Sequence, residues 1–273
     1  MTAFAQLIAN IAQKPIQTDV SNCALLISFG YLWQKPLKNP NTPLFILHPL
    51  FAPCNPSSQS HTLRYEIGTE FGVVWLLAYI LAPLLKKQSD NISKLKDKLK
   101  NLDVGFLSSE TNLSEEELEQ IREILCSSSS VGIVLGEELA THPHTQDIAL
   151  VLGILGTSNK IEFIMPQLKN PIMPHSTHIE NTTLSVCEEL PESNGHFIYI
   201  LPSNISMPIL KTPPLFAPAL KLNNQQKVVL KFESQHIPTS CEYDSTLKGT
   251  IALLYMPKTQ DIGYPYKKVE VIL

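Results

Sequence analysis

The stretch SSSSVGIVLGEELATHPHTQDIALVLGIL, residues 127–155, decides the fold. Its centre, VGIVL at 131–135, is an unbroken apolar run between four serines and Gly136. A strand with one wet face alternates apolar and polar residues, whereas a strand covered on both faces does not. The run therefore predicts an internal strand of a parallel sheet. Gly136 ends it, an acidic turn at Glu137 and Glu138 and a His-Pro-His segment follow, and residues 148–155 read as an apolar helix.

Working outward, the same grammar repeats. CALLISF (23–29) is a second continuous run, stopped by Gly30; LFIL (44–47) is a third, bracketed by Pro-rich turns at 36–43 and 49–56; residues 161–165 make a fourth. Residues 3–13 put Phe4, Leu7, Ile8 and Ile11 on one helical face. Residues 112–125 carry an S-x-x-E capping box, Ser114 with Glu117, and an apolar face of Leu118, Ile121, Ile124 and Leu125. Glu115 and Glu116 add charge favourable to the helix start. The Lys-rich stretch 86–100, interleaved with Asp90, Asn91, Ser93 and Asp97, reads as the solvated face of a helix. Residues 104–107, after Asp103, read as a short strand. Residues 71–85 form the most apolar helix, yet fall short of the roughly 18 to 20 residues a membrane span needs, with Glu70 at one end and Pro83 at the other. A helix buried on most sides of a core is the expectation.

Strands alternating with helices imply helical crossovers. The expected fold is α/β: a Rossmann-like parallel sheet with helices on both faces over residues 1–165. Beyond Pro166 the pattern changes. Eleven of the 21 prolines follow, and short strand signals occur at 197–201, 228–232, 251–255 and 269–273. Residues 166–273 are thus expected to form an extended, β-rich C-terminal region, laid partly on the first domain or on partners.

The composition excludes several classes. With 21 basic and 25 acidic residues the net charge is -4, which leaves no basic surplus for a nucleic-acid backbone. Only 11 glycines are present and no G-x-G-x-x-G, P-loop, G-x-S-x-G or H-E-x-x-H motif occurs. Gly136 and Gly30, each following a strand, are the two positions where a ligand could approach the carboxyl edge of the sheet; a plain turn is the ordinary reason for each. Gly153 and Gly156 suit close helix packing or a C-cap. The five cysteines (23, 54, 126, 187, 241) never come in a C-x-x-C pair, so no cluster or zinc site is expected. Their odd number, and an N-terminus that reads as a helix rather than a secretory signal, suggest reduced thiols in the cytoplasm. His142 and His144 flank Pro143, and His175 and His178 sit three apart, without Cys or carboxylate partners in a zinc pattern unless Glu138 and Glu180 are recruited; surface or capping roles are expected. No catalytic, cofactor-binding or metal-binding set emerges.

The ordered segments CALLISFGYLWQKP (23–36), LFILHP (44–49), YEIGTEFGVVWLLAYIL (65–81) and VGIVLGEELATHP (131–143) resemble the α/β domain of the molybdopterin oxidoreductase superfamily. There a second strand ends in an Asp-Pro-Arg-like turn and a G-T-D helix follows. Here those elements read His48, Pro49, Leu50 and Gly68, Thr69, Glu70. Within the superfamily, residues 113–155 and the late segments PALKLNNQQKVVLKF and STLKGTIALLY are most similar to the large G subunit of NADH-quinone oxidoreductase, respiratory complex I. Its N-terminal iron-sulfur cysteines have no counterpart here. The resemblance implies a cofactor-free accessory subunit that supports the peripheral arm, with the other subunits of a membrane-associated respiratory complex, or a soluble electron carrier, as partners. It implies a cytoplasmic location, reached at the membrane only through the complex. The low charged fraction, 17%, fits a chain that buries surface against neighbours. A second likeness, of SSSSVGIVLGEEL to the central α/β domain of thiamine-diphosphate enzymes, implies instead a nucleotide- or flavin-binding domain.

Overall fold

A computed structural model describes residues 1–20, 23–51, 54–86, 89–175, 183–187, 189–258 and 262–272. The chain divides into two compact units, Met1–Pro191 and Glu192–Leu273. Residues 166–191 thus stay with the first unit instead of opening the second. Ile172 exchanges two backbone hydrogen bonds with Ile16, and Leu184 and Cys187 enter the first unit's core.

The first unit runs α1 (Thr2–Ala12), β1 (Ile16–Gln17), β2 (Leu25–Phe29), β3 (Leu44–Leu47), β4 (Ser60–Leu63), α2 (Glu70–Leu81), α3 (Asp90–Lys100), α4 (Val104–Thr111), α5 (Glu115–Ser127), β5 (Val131–Leu135), α6 (Thr145–Gly156) and β6 (Ile161–Ile164). It is the α/β fold expected, a six-stranded sheet in the order β1-β6-β5-β2-β3-β4 with every pair parallel. From β2 the chain moves outward to β3 and β4, then crosses back to place β5 on the other side of β2. The topological switch point lies between β2 and β5.

Strand parity sorts the core. Leu25, Ile27, Phe29, Phe45, Leu47, Val131, Ile133, Leu135, Ile161 and Phe163 share one buried cluster with residues of α1, α2, α5 and α6. The alternate positions, Leu26, Leu44, Ile46, Val134 and Ile164, face a second cluster with Cys23 and Trp33, against which Tyr31, Leu37 and Cys54 pack. Among the described residues that second cluster draws on the strands and their connections and on no helix, so the helices expected on both faces pack on the first, and loop residues supply the layer on the second. Trp33 is anchored there by its indole N–H, which donates to the Ser28 hydroxyl at 2.9 Å.

The apolar helix α2 is buried on nearly every side, with Tyr79 its exposed residue, and it ends in a 3-10 turn containing Pro83. Among the described residues no helix is long and apolar enough to cross a membrane. Residues 104–107 are not a strand. They open α4, because the Asp103 carboxylate accepts from the Phe106 N–H and caps a helix. A four-residue apolar run fits either periodicity, and the cap decides between them. The capping box of α5 is present in both halves, Ser114 Oγ accepting from Glu117 N and Glu117 Oε2 from Ser114 N.

The second unit is β-rich and has a buried core of its own, built on Ile198, Leu210, Phe216, Leu230, Cys241 and Leu254. Its elements are β7 (Phe197–Ser203), β8 (Ile209–Thr212), α7 (Phe216–Ala219), β9 (Lys227–Phe232), β10 (Gln235–Tyr243), β11 (Ala252–Pro257), β12 (Tyr266–Lys268) and β13 (Glu270–Ile272). They form a mixed sheet, β12-β7-β11-β8-β10-β9-β13, in which β7 pairs β11 and β8 pairs β10 in parallel. Val228, Leu230 and Phe232 alternate inward with half-buried or exposed neighbours, as a sheet with one covered face requires.

Helices α1 and α6 approach so closely that a Cβ on Gly153 would lie 2.6 Å from the Ile11 Cβ. Replacing Gly153 by Ala is therefore expected to destabilise the first unit by about 1 to 3 kcal/mol, although alanine favours a helix. Urea unfolding of the variant against the parent checks this.

Candidate functional site

In open parallel sheets, ligands sit outside the carboxyl ends of the strands at the switch point. Here that place belongs to Gly30 and Gly136, the residues that end β2 and β5. The two backbones meet without a gap: a Cβ on Gly136 would fall 1.4 Å from the Gly30 carbonyl oxygen. Nor are the two amides free to cradle an anion. Gly30 N–H donates to Leu47 O at 3.0 Å and Gly136 N–H to Phe29 O at 2.9 Å, which extends the ladder beyond the strands. Gly30 adopts φ 65°, the left-handed region that favours glycine.

Beneath this contact the ends of four elements converge. His48 follows β3 by one residue, Tyr65 follows β4 by two, Glu138 follows β5 by three, and Glu70 is the first residue of α2. Each is essentially removed from solvent. Tyr65 donates its hydroxyl to Glu138 Oε1 at 3.0 Å, and His48 Nε2 lies 3.5 Å from Glu138 Oε2. His142 Nε2 lies 3.2 Å from Glu70 Oε2 and 3.2 Å from the Gly68 carbonyl.

The two histidines share one local device. Each precedes a proline, and each Nδ1 accepts the backbone N–H two residues on: Leu50 N to His48 and His144 N to His142, both 3.0 Å. The turn that proline imposes brings that amide back onto the ring. An Nδ1 that accepts a hydrogen bond carries no proton, so the proton of each ring sits on Nε2 and points inward at a carboxyl group. The Gly68 carbonyl on the far side of His142 Nε2 requires the same tautomer.

Burial pushes the Glu138 carboxyl above the usual carboxylate range. His48 pulls it down, Glu70 pushes it further up, and the Tyr65 hydroxyl pulls it down. Burial also raises the thiols of Cys54, Cys241 and Cys187, the last to about 11. Raised thiols are poor nucleophiles at neutral pH, and among the described residues no cysteine forms a disulfide.

Gly30 and Gly136 do come together at the switch point, in contact with each other. His142 is buried rather than superficial, its Nε2 on the Gly68 carbonyl and 3.2 Å from Glu70 Oε2; His144 is half exposed, stacked on Phe71 at 4.8 Å and 3.5 Å from Asp147. His175 is exposed. His178 and Glu180 lie outside the described residues. Glu138 joins His48, not His142. Among the described residues, no group of three or more His, Cys, Asp or Glu side chains is placed to hold a metal ion. The pairing of His48 with Glu138 and the part of Tyr65 were not read from the sequence; the repeated His-Pro after an internal strand was the signal available. A cavity of about 200 Å³ lies elsewhere, between residues 84–86 and 157–160. Its Ser158 hydroxyl and Lys160 ammonium are already donated to Leu84 O and Ser128 O.

Compared with protein-family models and with curated proteins, the chain matches none.

The glycine contact gives a sharp expectation. Gly136→Ala, whose φ of -80° any residue tolerates, fails by sterics alone, and the first unit should lose about 3 kcal/mol or more or not fold. Circular dichroism with urea titration reads the loss; a variant as stable as the parent would refute the closed edge.

Proposed function

We propose that the chain is a cofactor-free accessory subunit of a complex I type NADH-quinone oxidoreductase, supporting the peripheral arm through contacts with neighbouring subunits. One observation supports the cofactor-free part of this reading. Two of the positions at which the sequence departs from its molybdopterin-oxidoreductase likeness, His48 and Glu70, face inward and lie against Glu138 and His142. Residues that would otherwise serve a nucleotide are engaged inside the fold, and the glycine amides above them serve the sheet. The partners, the respiratory setting and the cytoplasmic, membrane-peripheral location rest on the ordered sequence likeness alone.

The parallel sheet with its switch point at Gly30 and Gly136 favours a second reading, the nucleotide- or flavin-binding domain. The two separate cleanly. If the subunit reading holds, the native chain co-purifies with membrane respiratory subunits and is itself colourless, while a chain that runs alone rejects it. If the second holds, a nucleotide or flavin at 100 times its Kd raises stability by about 2.7 kcal/mol, a Tm rise of roughly 5 to 10 °C. No thermal shift across a nucleotide and flavin panel is the expected outcome.

A further inference from the structure

We propose that Asn194–Gly195 is a self-modification site. The Gly195 backbone nitrogen attacks the Asn194 side-chain amide and converts it to aspartate or isoaspartate, assisted by the Lys268 ammonium beside it. This stands apart from the subunit reading and does not depend on it.

An asparagine reacts with its own chain when the next backbone nitrogen can reach its Cγ. A side chain on that next residue obstructs the approach, and glycine has none. Asn194 is the asparagine that glycine follows in this chain; the others precede residues with side chains. The structure leaves this pair open. Both residues are exposed and lie outside the strands, just ahead of β7. Among the described residues nothing accepts the Gly195 N–H, whereas His196 O receives the Val269 N–H at 2.8 Å. The chain is thus anchored one residue past the reacting nitrogen and not at it. Gly195 has φ 117°, a conformation that glycine adopts without strain.

Charge favours the step. The Gly195 amide must give up its proton to attack, and a nearby cation stabilises the nitrogen that results. A Cβ on Gly195 would lie 2.7 Å from Lys268 Cε and 3.4 Å from its Nζ, so the ammonium sits beside the attacking residue. Lys267 is held by Glu233 at 2.7 Å, while Lys268 has no carboxylate partner among the described residues. Glu192 Oε2 accepts from Asn194 Nδ2 at 2.8 Å and so holds the nitrogen that leaves, not the one that attacks. The His196 ring is packed on Phe216 at 5.8 Å. The atoms balance: a bond forms from Gly195 N to Asn194 Cγ, the Cγ–Nδ2 bond breaks, and Nδ2 departs as ammonia with the Gly195 proton. Water then opens the cyclic imide. Opening at Cγ gives aspartate; opening at the Asn194 main-chain carbonyl gives isoaspartate, whose backbone runs through the side chain.

The test incubates the full chain beside a peptide of residues 190–198 at mildly alkaline pH. Peptide mapping by mass spectrometry, joined to enzymatic methylation of isoaspartate, follows Asn194 in each. Asn194 should convert at least as fast in the folded chain as in the peptide, which lacks Lys268. Asn194→Gln, whose longer side chain closes the ring poorly, should abolish the signal. Lys268→Gln should slow conversion about threefold, the worth of one positive charge at short range in water, and Lys268→Arg, which keeps the charge, should retain the parent rate. An Asn194 in the folded chain that outlasts the peptide's overturns the proposal. So does K268Q converting as fast as the parent, or K268R as slow as K268Q.

Discussion

The closure of β5 against β2 at Gly30 and Gly136 is the constraint on which the carboxyl edge of the first unit depends. Continuous apolar strands bring the two elements together, but only the missing side chain lets the backbones touch one residue past the last strand position. With that contact made, the residues that follow are fixed in place. The turn after β5 drops Glu138 beneath Gly30, and the turn after β3 brings His48 to meet it. The polar interior is thus a consequence of where strands end, not of a cleft. Four polar side chains from different elements are removed from water together, and each carboxyl is met by the Nε2–H of a histidine.

The His-Pro pairs explain how this interior is held. Proline turns the chain so that the following amide finds Nδ1, and this both fixes the ring and chooses its tautomer. A ring so fixed turns Nε2 inward, His48 toward Glu138 and His142 toward Glu70 and the Gly68 carbonyl. Burial outweighs the pull of His48 and Tyr65, so the Glu138 carboxyl is pushed above the usual carboxylate range. Arg64, the nearest basic residue in sequence to Tyr65, lies over the Phe51 ring and donates to Pro49 O.

Much of the fold was legible because its strands are internal. VGIVL, LLISF and LFIL are continuous apolar runs bounded by Gly or Pro, and the structure places all three at the centre of the parallel sheet. Legibility failed where the signal was short or two-faced. β4 reads Ser-His-Thr-Leu, an edge strand with one buried residue that leaves no apolar run to notice. Residues 104–107 were apolar enough for a strand, and their nature was carried by Asp103 outside them. In the second unit, β10 hides because Gln235, His236 and Pro238 interrupt its hydrophobic pattern, and its pairing with β9 is set by the intervening turn. The site was half legible: glycines after strands mark the switch point, but long-range pairs such as Glu138 with His48 depend on a register that local sequence does not encode.

The low charged fraction takes on a different meaning in this structure. A sheet covered on both faces and a helix such as α2, buried nearly all round, place apolar residues where other folds place charge. The first unit alone can account for much of the shortage without any partner. Charge is instead kept where water reaches: the Asp90–Lys94 and Asp97–Lys100 pairs on α3, and Lys231–Glu270 and Lys267–Glu233 in the second unit. Such exposed pairs add little stability. Composition therefore does not by itself argue for a chain that buries its surface against neighbours. The case for an accessory subunit has to rest on the ordered likeness and on the inward-facing edge, where His48 and Glu70 are engaged by the fold itself.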